Sequence, residues 1–301
     1  MITRIATYTQ SQSLVKDLMR LQSDYAKGQL QESSGLVSTT YQGISSSSQR
    51  LLNLESDYST LTSRSENTQI ALDRVNSGYT AVQGMLDIMT SARSSISAAI
   101  SGAGTSSENF KDTMQQVVEE LAATLNTQQA GNYLFGGGVT DTAPVNLDAS
   151  GYAAAPDAAT ADTGYYQGGG YLSRVEVSGG QMVTYGVTAD NPAFEQALRA
   201  LNIAISNPDD TAALTDAFDL LGDAYNATSQ IQTTLSNRAS QLEDQINQNT
   251  DDLNTLDGLI DNIKNVDLAE VTVRLTTLET QLEASYSLAS KLLKMNLANY
   301  L

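Results

Sequence analysis

The 301-residue chain has no cysteine and no histidine. Without cysteine there is no disulfide framework and no thiolate nucleophile. Without histidine there are no His-based zinc sites, no Ser-His-Asp or Cys-His nucleophile systems and no HExxH metalloprotease helix. Positive charge is scarce: 16 basic residues stand against 34 acidic ones, for a net charge of −18. Nucleic acid and anionic membranes both demand a basic face, so neither is an expected partner. No apolar run approaches the ~18 residues that span a bilayer. The start, MITRIATYTQSQS, lacks the apolar core of a secretory signal. The expectation is a protein that stays in the cytosol or leaves it by a route without a cleaved signal.

What charge there is lies unevenly. Residues 1–27 carry a net +2 and residues 268–301 a net zero, which leaves −20 for the remainder. The two ends can therefore pack against like ends without much repulsion, and the body cannot.

Two long stretches follow alternate steps of three and four. The first is Leu51, Leu54, Tyr58, Leu61, Ser65, Thr68, Leu72, Val75, Tyr79, Val82, Leu86, Met89, Arg93, Ile96 and Ile100. The second is Leu214, Phe218, Leu221, Tyr225, Thr228, Gln232, Leu235, Ala239, Leu242, Ile246, Asn249, Leu253, Leu256, Ile260 and Ile263. Sustained heptads of this kind predict long helices in a coiled-coil-like bundle, here as antiparallel partners, with Thr228, Gln232 and Asn249 as polar positions that fix register. GAGTSS at 102–107 breaks the first helix, and Ser106 or Ser107 is placed to cap another whose apolar face is Phe110, Met114, Val117, Val118, Leu121 and Leu125. Asn207 and Pro208 read as the cap and first-turn proline of the second long helix.

Between the helices the composition changes. Twelve of the 21 glycines fall in residues 131–186, and all four prolines lie between 144 and 208. YLSRVEVSGGQMVTYGV reads as two alternating strands around Gly179-Gly180. The expected fold is mainly α: a long antiparallel helical rod of coiled-coil type carrying a small inserted β-rich domain. The expected segments are an N-terminal assembly segment and linker at 1–44, rod halves at 45–137 and 196–264, the insertion at 138–195, and a C-terminal assembly segment at 265–301.

Both ends stay apolar. Ile5, Leu14, Leu18, Leu21 and Tyr25 form a short stripe, and Leu268, Val271, Leu275, Leu278, Leu282, Tyr286, Leu293, Leu297, Tyr300 and Leu301 a longer one that runs into LLKMNLANYL. A lone helix cannot bury such a stripe. These fifteen positions are expected to be an assembly interface, and the terminal helices to pair on assembly.

Candidate chemistry is thin. GNYLFGGG at 131–138 lacks the Lys-Ser/Thr of a phosphate loop, and GAG at 102–104 lacks the third glycine of a dinucleotide fingerprint. DDLNTLDG at 251–258 puts Leu253 and Thr255 where a calcium loop needs oxygen ligands. Asp157, Asp162 and Glu176, beside Tyr165 and Tyr166, are the carboxylates that a glycosidase of two acids would draw on; a polar surface is the simpler reading. No cofactor, metal or enzyme activity is expected.

Three stretches resemble the flagellin family. NTQQAGNYLFGGGVTDTAPV, residues 126–145, is similar to the family stretch in which a helix ends at an Asn-Tyr-Leu-Phe-Gly-Gly turn, here Asn132, Tyr133, Leu134, Phe135, Gly136 and Gly137. GYYQGGGYLSRVEVSGGQMVTYGVT, 164–188, is similar to its Tyr-x-Gly segment and paired strands. VDLAEVTVRLTTLETQLEASYSLASKLLKMNLANYL, 266–301, matches an Asp-x-Ala-Glu entry, a Leu-x-Ala-Ser-Tyr core and a Leu-x-Asn-Tyr-Leu ending. The family's Pro-Ser-Asp-Asp-Pro turn has no counterpart in SSGLVSTTYQGISSSSQRL, 33–51.

The resemblance implies a structural subunit of the bacterial flagellum, exported without a cleaved signal through the flagellar type III channel and polymerised through paired terminal helices. Its implied place is between hook and filament, with the first hook-associated protein on one side and flagellin on the other. An export chaperone would shield the C-terminal segment beforehand. A filament flagellin is the alternative. A cytosolic coiled-coil adaptor is a second, and it predicts terminal segments already folded in the monomer.

Overall fold

The computed structural model describes residues 2–103, 106–152 and 158–298, with the side chains of 2–8, 10 and 292–298 left aside. Its elements are α1 (Ile2–Ser34), a 3₁₀ turn (Tyr41–Ile44), α2 (Ser48–Ile100), α3 (Ser107–Leu125), β1 (Gln128–Gln129), β2 (Asn132–Tyr133), β3 (Arg174–Glu176), β4 (Met182–Thr184), α4 (Pro192–Ser206), α5 (Thr211–Lys264) and α6 (Leu268–Ala298). The mainly helical class with a small β region is as the sequence predicts. The chain divides into two compact units, one of Met1–Thr60 with Asp252–Leu301 and one of Leu61–Asp251.

In the larger unit α2 and α5 run antiparallel. Gln232 donates to Gln83 across the pair, and ten residues along each helix from that bond Arg93 packs against Gly222, with its guanidinium over the Phe218 ring one turn further, 4.4 Å from the centroid. The constant register follows from two stripes of matched period. Val75, Val82, Met85, Met89 and Ile96 of α2 and Leu214, Leu221, Leu235 and Leu242 of α5 are buried. α3 adds Phe110, Met114, Leu121 and Leu125, on the face expected, and starts after Ser106. Tyr79 departs from the pattern. It is 38% exposed, while its neighbour Gly78 is buried with Leu235 alongside, because an unwound 3.5-residue period drifts from a straight helix over several turns.

α4 was not legible as a helix before the structure. Asn191 accepts from the Ala193 N–H at 3.0 Å and Pro192 takes the first turn, so the cap-plus-proline signature stands here. Asn207 is instead the C-terminal cap of α4, and Asp210 starts α5 by accepting from the Ala212 and Ala213 N–H groups at 2.9 and 3.3 Å. The proline signature at 207–208 therefore marks a helix end, a correction to the sequence reading. Phe194, Leu198 and Leu201 of α4 are fully buried.

The smaller unit consists of α1, α6, the first residues of α2 and the last of α5. α1 and α6 pack antiparallel: Gln22 donates to the Tyr286 hydroxyl at 2.6 Å, Gly28 faces Leu275, and the Thr272 hydroxyl donates to Glu32 at 3.1 Å. A Cβ on Gly28 would lie 2.8 Å from Leu275 Cδ2, so glycine lets the helices close at that level. Gly35, at φ +72°, ends α1 with its N–H on the Gln31 carbonyl. Asp267 caps α6 through the Ala269 and Glu270 N–H groups at 2.8 and 3.2 Å.

Candidate functional site

Two groups of residues were singled out by the sequence, the terminal stripes and the 132–137 turn. Along the stripes, Val271, Leu275 and Leu282 are buried, and Leu14, Leu18, Leu21, Tyr25 and Leu278 are half-buried. Leu268 and Tyr286 are about half exposed, at 50% and 49%. The side chains of Ile5, Leu293 and Leu297, and residues Tyr300 and Leu301, lie outside the described residues. The terminal helices do pair, but within one chain and without a second copy. The sequence reading treated each stripe as a lone helix; the 33 residues of α1 and the 31 of α6 are long enough to cover one another.

That pairing leaves other apolar side chains outward. Val15, Met19 and Leu30 of α1 are 53%, 64% and 63% exposed, and Val273 and Leu288 of α6 are 69% and 54% exposed. None of the five sits on the three-four stripe, which is why a search for periodicity passes over them. Their signal was large apolar residues on the polar side of an otherwise amphipathic helix.

The 132–137 turn is a built structure in the larger unit. Ala130 and Gly131 both have positive φ, 49° and 80°, and close β1 onto β2 as a two-residue turn of the primed kind. Arg74 of α2 donates to the Tyr133 carbonyl at 2.7 Å. Leu134 and Phe135 are buried, and the Phe135 ring meets Phe194 edge-on at 6.0 Å. The Ala189 N–H donates to the Phe135 carbonyl and the Gly169 N–H to the Gly136 carbonyl, both at 2.9 Å. Gly137 has φ +62°, and a Cβ there would lie 2.0 Å from the Gly169 carbonyl oxygen. The GGG run at 168–170 and the Gly-Gly of the turn thus touch backbone to backbone, which no side chain permits.

The β3–β4 hairpin forms as predicted, with Val175 opposite Val183 and with Gly179 and Gly180 at positive φ. Tyr165 is fully buried and donates to the Ala189 carbonyl at 2.9 Å; Tyr166 donates to the Gly169 carbonyl at the same distance. Burial raises both phenols, Tyr166 to about 12 and Tyr165 further, so both remain donors.

The carboxylates have structural partners. Glu176 is paired with Arg64 at 3.4 Å, and Asp162 accepts from the Gly164 N–H at 2.8 Å; Asp157 lies outside the described residues. A buried pair that the sequence did not reveal joins Glu195 and Arg199, one turn apart on α4, at 3.1 Å. Glu195 also accepts from the Asp162 N–H at 3.0 Å and Arg199 donates to the Ala158 carbonyl, so the pair holds the 158–162 loop. Among the described residues no three His, Cys, Asp or Glu side chains are grouped to hold a metal ion, and no helix is long and apolar enough to cross a membrane.

Of the three polar positions expected to set register, Gln232 bridges the helices. Thr228 and Asn249 are buried without doing so: the Thr228 hydroxyl and the Asn249 Nδ2 have no partner among the described residues, and Asn249 Oδ1 accepts from Gln245 of its own helix.

Residues 218–301 match the family model of the bacterial flagellin C-terminal helical region. The matched residues are most of α5 and all of α6. Over about 70% of the chain its fold is similar to those of two solved flagellar proteins. A structure from Vibrio parahaemolyticus described as a flagellar hook-associated protein superposes with a TM-score of 0.60 at 17% identity, over 72% of this chain and 96% of that one. FlgL of Bacillus cereus superposes with a TM-score of 0.52 at 15% identity, over 67% of this chain and 97% of that one. No curated protein sequence matches the chain.

Proposed function

We propose that this protein is a structural subunit of the bacterial flagellum, seated at the junction between hook and filament, that polymerises through its terminal helices. One observation carries the reading: the flagellin C-terminal region, residues 218–301, ends in α6, whose antiparallel partner is α1 of the same chain. The pair buries one stripe and still presents Val15, Met19, Leu30, Val273 and Leu288 to the outside. On a chain of net charge −18, these helices lie in the nearly neutral end segments, where like copies approach without repulsion.

In this reading the buried and half-buried stripe positions, Leu14, Leu18, Leu21, Tyr25, Val271, Leu275, Leu278 and Leu282, serve assembly indirectly, by holding the pair together, while the outward residues meet neighbouring copies. The first hook-associated protein lies on the hook side and flagellin on the filament side. Export proceeds through the flagellar channel without a cleaved signal, with a chaperone on the C-terminal segment. The insertion, 138–195, is an outer surface of the particle, and no catalytic step is assigned to its carboxylates.

Immunogold electron microscopy of isolated flagella, with antibody against residues 138–195, tests the placement. A narrow band where hook meets filament is the expected result. Label along the whole filament would make the protein a filament flagellin, and no label would remove it from the flagellum.

A further inference from the structure

One corner of the smaller unit is built unlike the rest. Where α1 gives way to α2 and α5 to α6, the chain crosses in residues 35–47 and 264–267. The 3₁₀ turn in the first crossing buries none of its residues, and its preceding Thr40 makes no side-chain cap. The crossing is held instead by polar contacts. The Val37 N–H donates to the Lys264 carbonyl at 2.7 Å and the Val266 N–H to the Gly35 carbonyl at 2.9 Å, which pairs Leu36 with Asn265. Buried Gln31 donates to the Val37 carbonyl at 2.9 Å. Above these bonds the Tyr41 hydroxyl and the Lys264 ammonium both donate to Glu55, to different carboxylate oxygens, at 3.0 and 3.1 Å.

We propose that this corner is a hinge latched by Tyr41, Glu55 and Lys264, on which the α1–α6 pair is repositioned relative to the adjoining ends of α2 and α5 when a subunit joins its neighbours. Segments with few buried apolar contacts open at low free energy, and here three polar side chains set that cost. Each comes from a different part of the chain: the crossing, the start of α2 and the end of α5. Releasing Glu55 therefore removes the side-chain ties of the crossing to the start of α2 and of α2 to the end of α5 together. The short Leu36–Asn265 backbone pairing and Gln31 are then left to hold the corner. The α1–α6 pair is itself closed by apolar contacts and stays intact when the latch opens. The latch is a property of the single chain; its use during joining rests on the assembly reading above.

Hydrogen–deuterium exchange on the full chain tests the latch. Glu55→Gln and Lys264→Met are each expected to speed exchange of residues 36–47 by about two- to fivefold, the range for a half-exposed ion pair, and to leave α3 and α4 unchanged. The double variant should exchange no faster than Glu55→Gln alone, since that substitution already breaks the ion pair that Lys264→Met removes. Unchanged rates, acceleration spread through α3 and α4, or a double variant equal to the product of the singles would each overturn it.

The hinge is tested by locking it. Leu36 and Asn265 form a non-hydrogen-bonded antiparallel pair, the geometry of closest approach and one that accepts a disulfide. The chain has no other cysteine. Leu36→Cys/Asn265→Cys protein is added, oxidised or reduced, to isolated hooks from a strain lacking this protein. The reduced form should bind and the oxidised form fail, with reductant restoring binding. Equal binding by both forms overturns the hinge. If the wild-type chain itself does not bind, the assembly reading falls and the hinge with it, while the exchange rates still decide the latch.

Discussion

Replacing Gly137 by alanine isolates the turn at 132–137 as an energetic unit. Two costs add there. The residue has φ +62°, and an L side chain in the left-handed region loses about 1–2 kcal/mol. The new Cβ would also stand 2.0 Å from the Gly169 carbonyl oxygen and 3.0 Å from Thr188 Cγ2. The carbonyl is backbone, and the N–H of the same residue donates to the Gly136 carbonyl, so the 168–170 segment cannot retreat without losing that bond. Overpacking of this sort costs about 1–3 kcal/mol more. The expected total is about 2–5 kcal/mol. Gly131→Ala is the internal control, because Gly131 has φ +80° but nothing within 4 Å of its Cβ position; it should lose only the first term, about 1–2 kcal/mol. Urea unfolding followed by circular dichroism gives both values, and a unit of this size shifts its melting temperature by about 2–4 °C per kcal/mol. If Gly137→Ala is no less stable than Gly131→Ala, the two glycine segments do not press together as described.

Leu275→Asp places a carboxylate at a position 7% exposed on α6 against Gly28; it should abolish α1–α6 pairing, seen as lost helix signal and fast exchange in those two helices alone. Arg199→Met strands Glu195 in a buried site and should cost about 3–5 kcal/mol by urea titration, with Glu195→Gln added to it recovering part of the loss. Asp210→Ala should cost about 1 kcal/mol through the lost α5 cap, more than Asn207→Pro costs α5 helicity by circular dichroism if Asp210 and not Asn207 starts that helix. The Lys264 hydrogen bond holds the Glu55 carboxyl below its ordinary pKa, so its contribution is full above the ordinary value and fades as pH falls through the lowered one; a carboxyl ¹³C titration should show the low midpoint, and Lys264→Met should move it up.

The long helices, the third helix and the hairpin were legible because each rests on local pattern: a sustained heptad, a capping serine before an apolar face, a Gly-Gly between alternating strands. α4 carried equally good local marks in Asn191, Pro192 and Glu195, yet it sits among glycines and prolines whose density suggested β structure throughout. The same two-letter signal at Asn207-Pro208 pointed to a helix start, although Asn and Pro also close helices; only the Asp210 hydrogen bonds separate the two cases. For the candidate site, the sequence identified the residues of the terminal stripes but not what faces them. That choice depends on contacts between residues more than 200 positions apart, as in Glu32 with Thr272. The buried Glu195–Arg199 pair was hidden for a related reason: an i, i+4 pair of opposite charge normally marks a solvated helix face.

The smaller unit joins the first and last stretches of the chain, and Gln22 meets Tyr286 across 264 positions of sequence. Contacts so distant set the order of folding. Loop-closure entropy must be overcome before such pairs contribute anything, whereas the residues of Leu61–Asp251 can find one another as soon as that one stretch is free. A chain emerging end-on, from a ribosome or any narrow passage, therefore acquires its larger unit first. Whichever terminal helix leads must wait, with its apolar stripe uncovered, until the trailing one arrives. During that interval the stripe is open to any other apolar surface nearby, so the time taken for the last thirty residues to emerge sets how long the chain is at risk of pairing with the wrong partner.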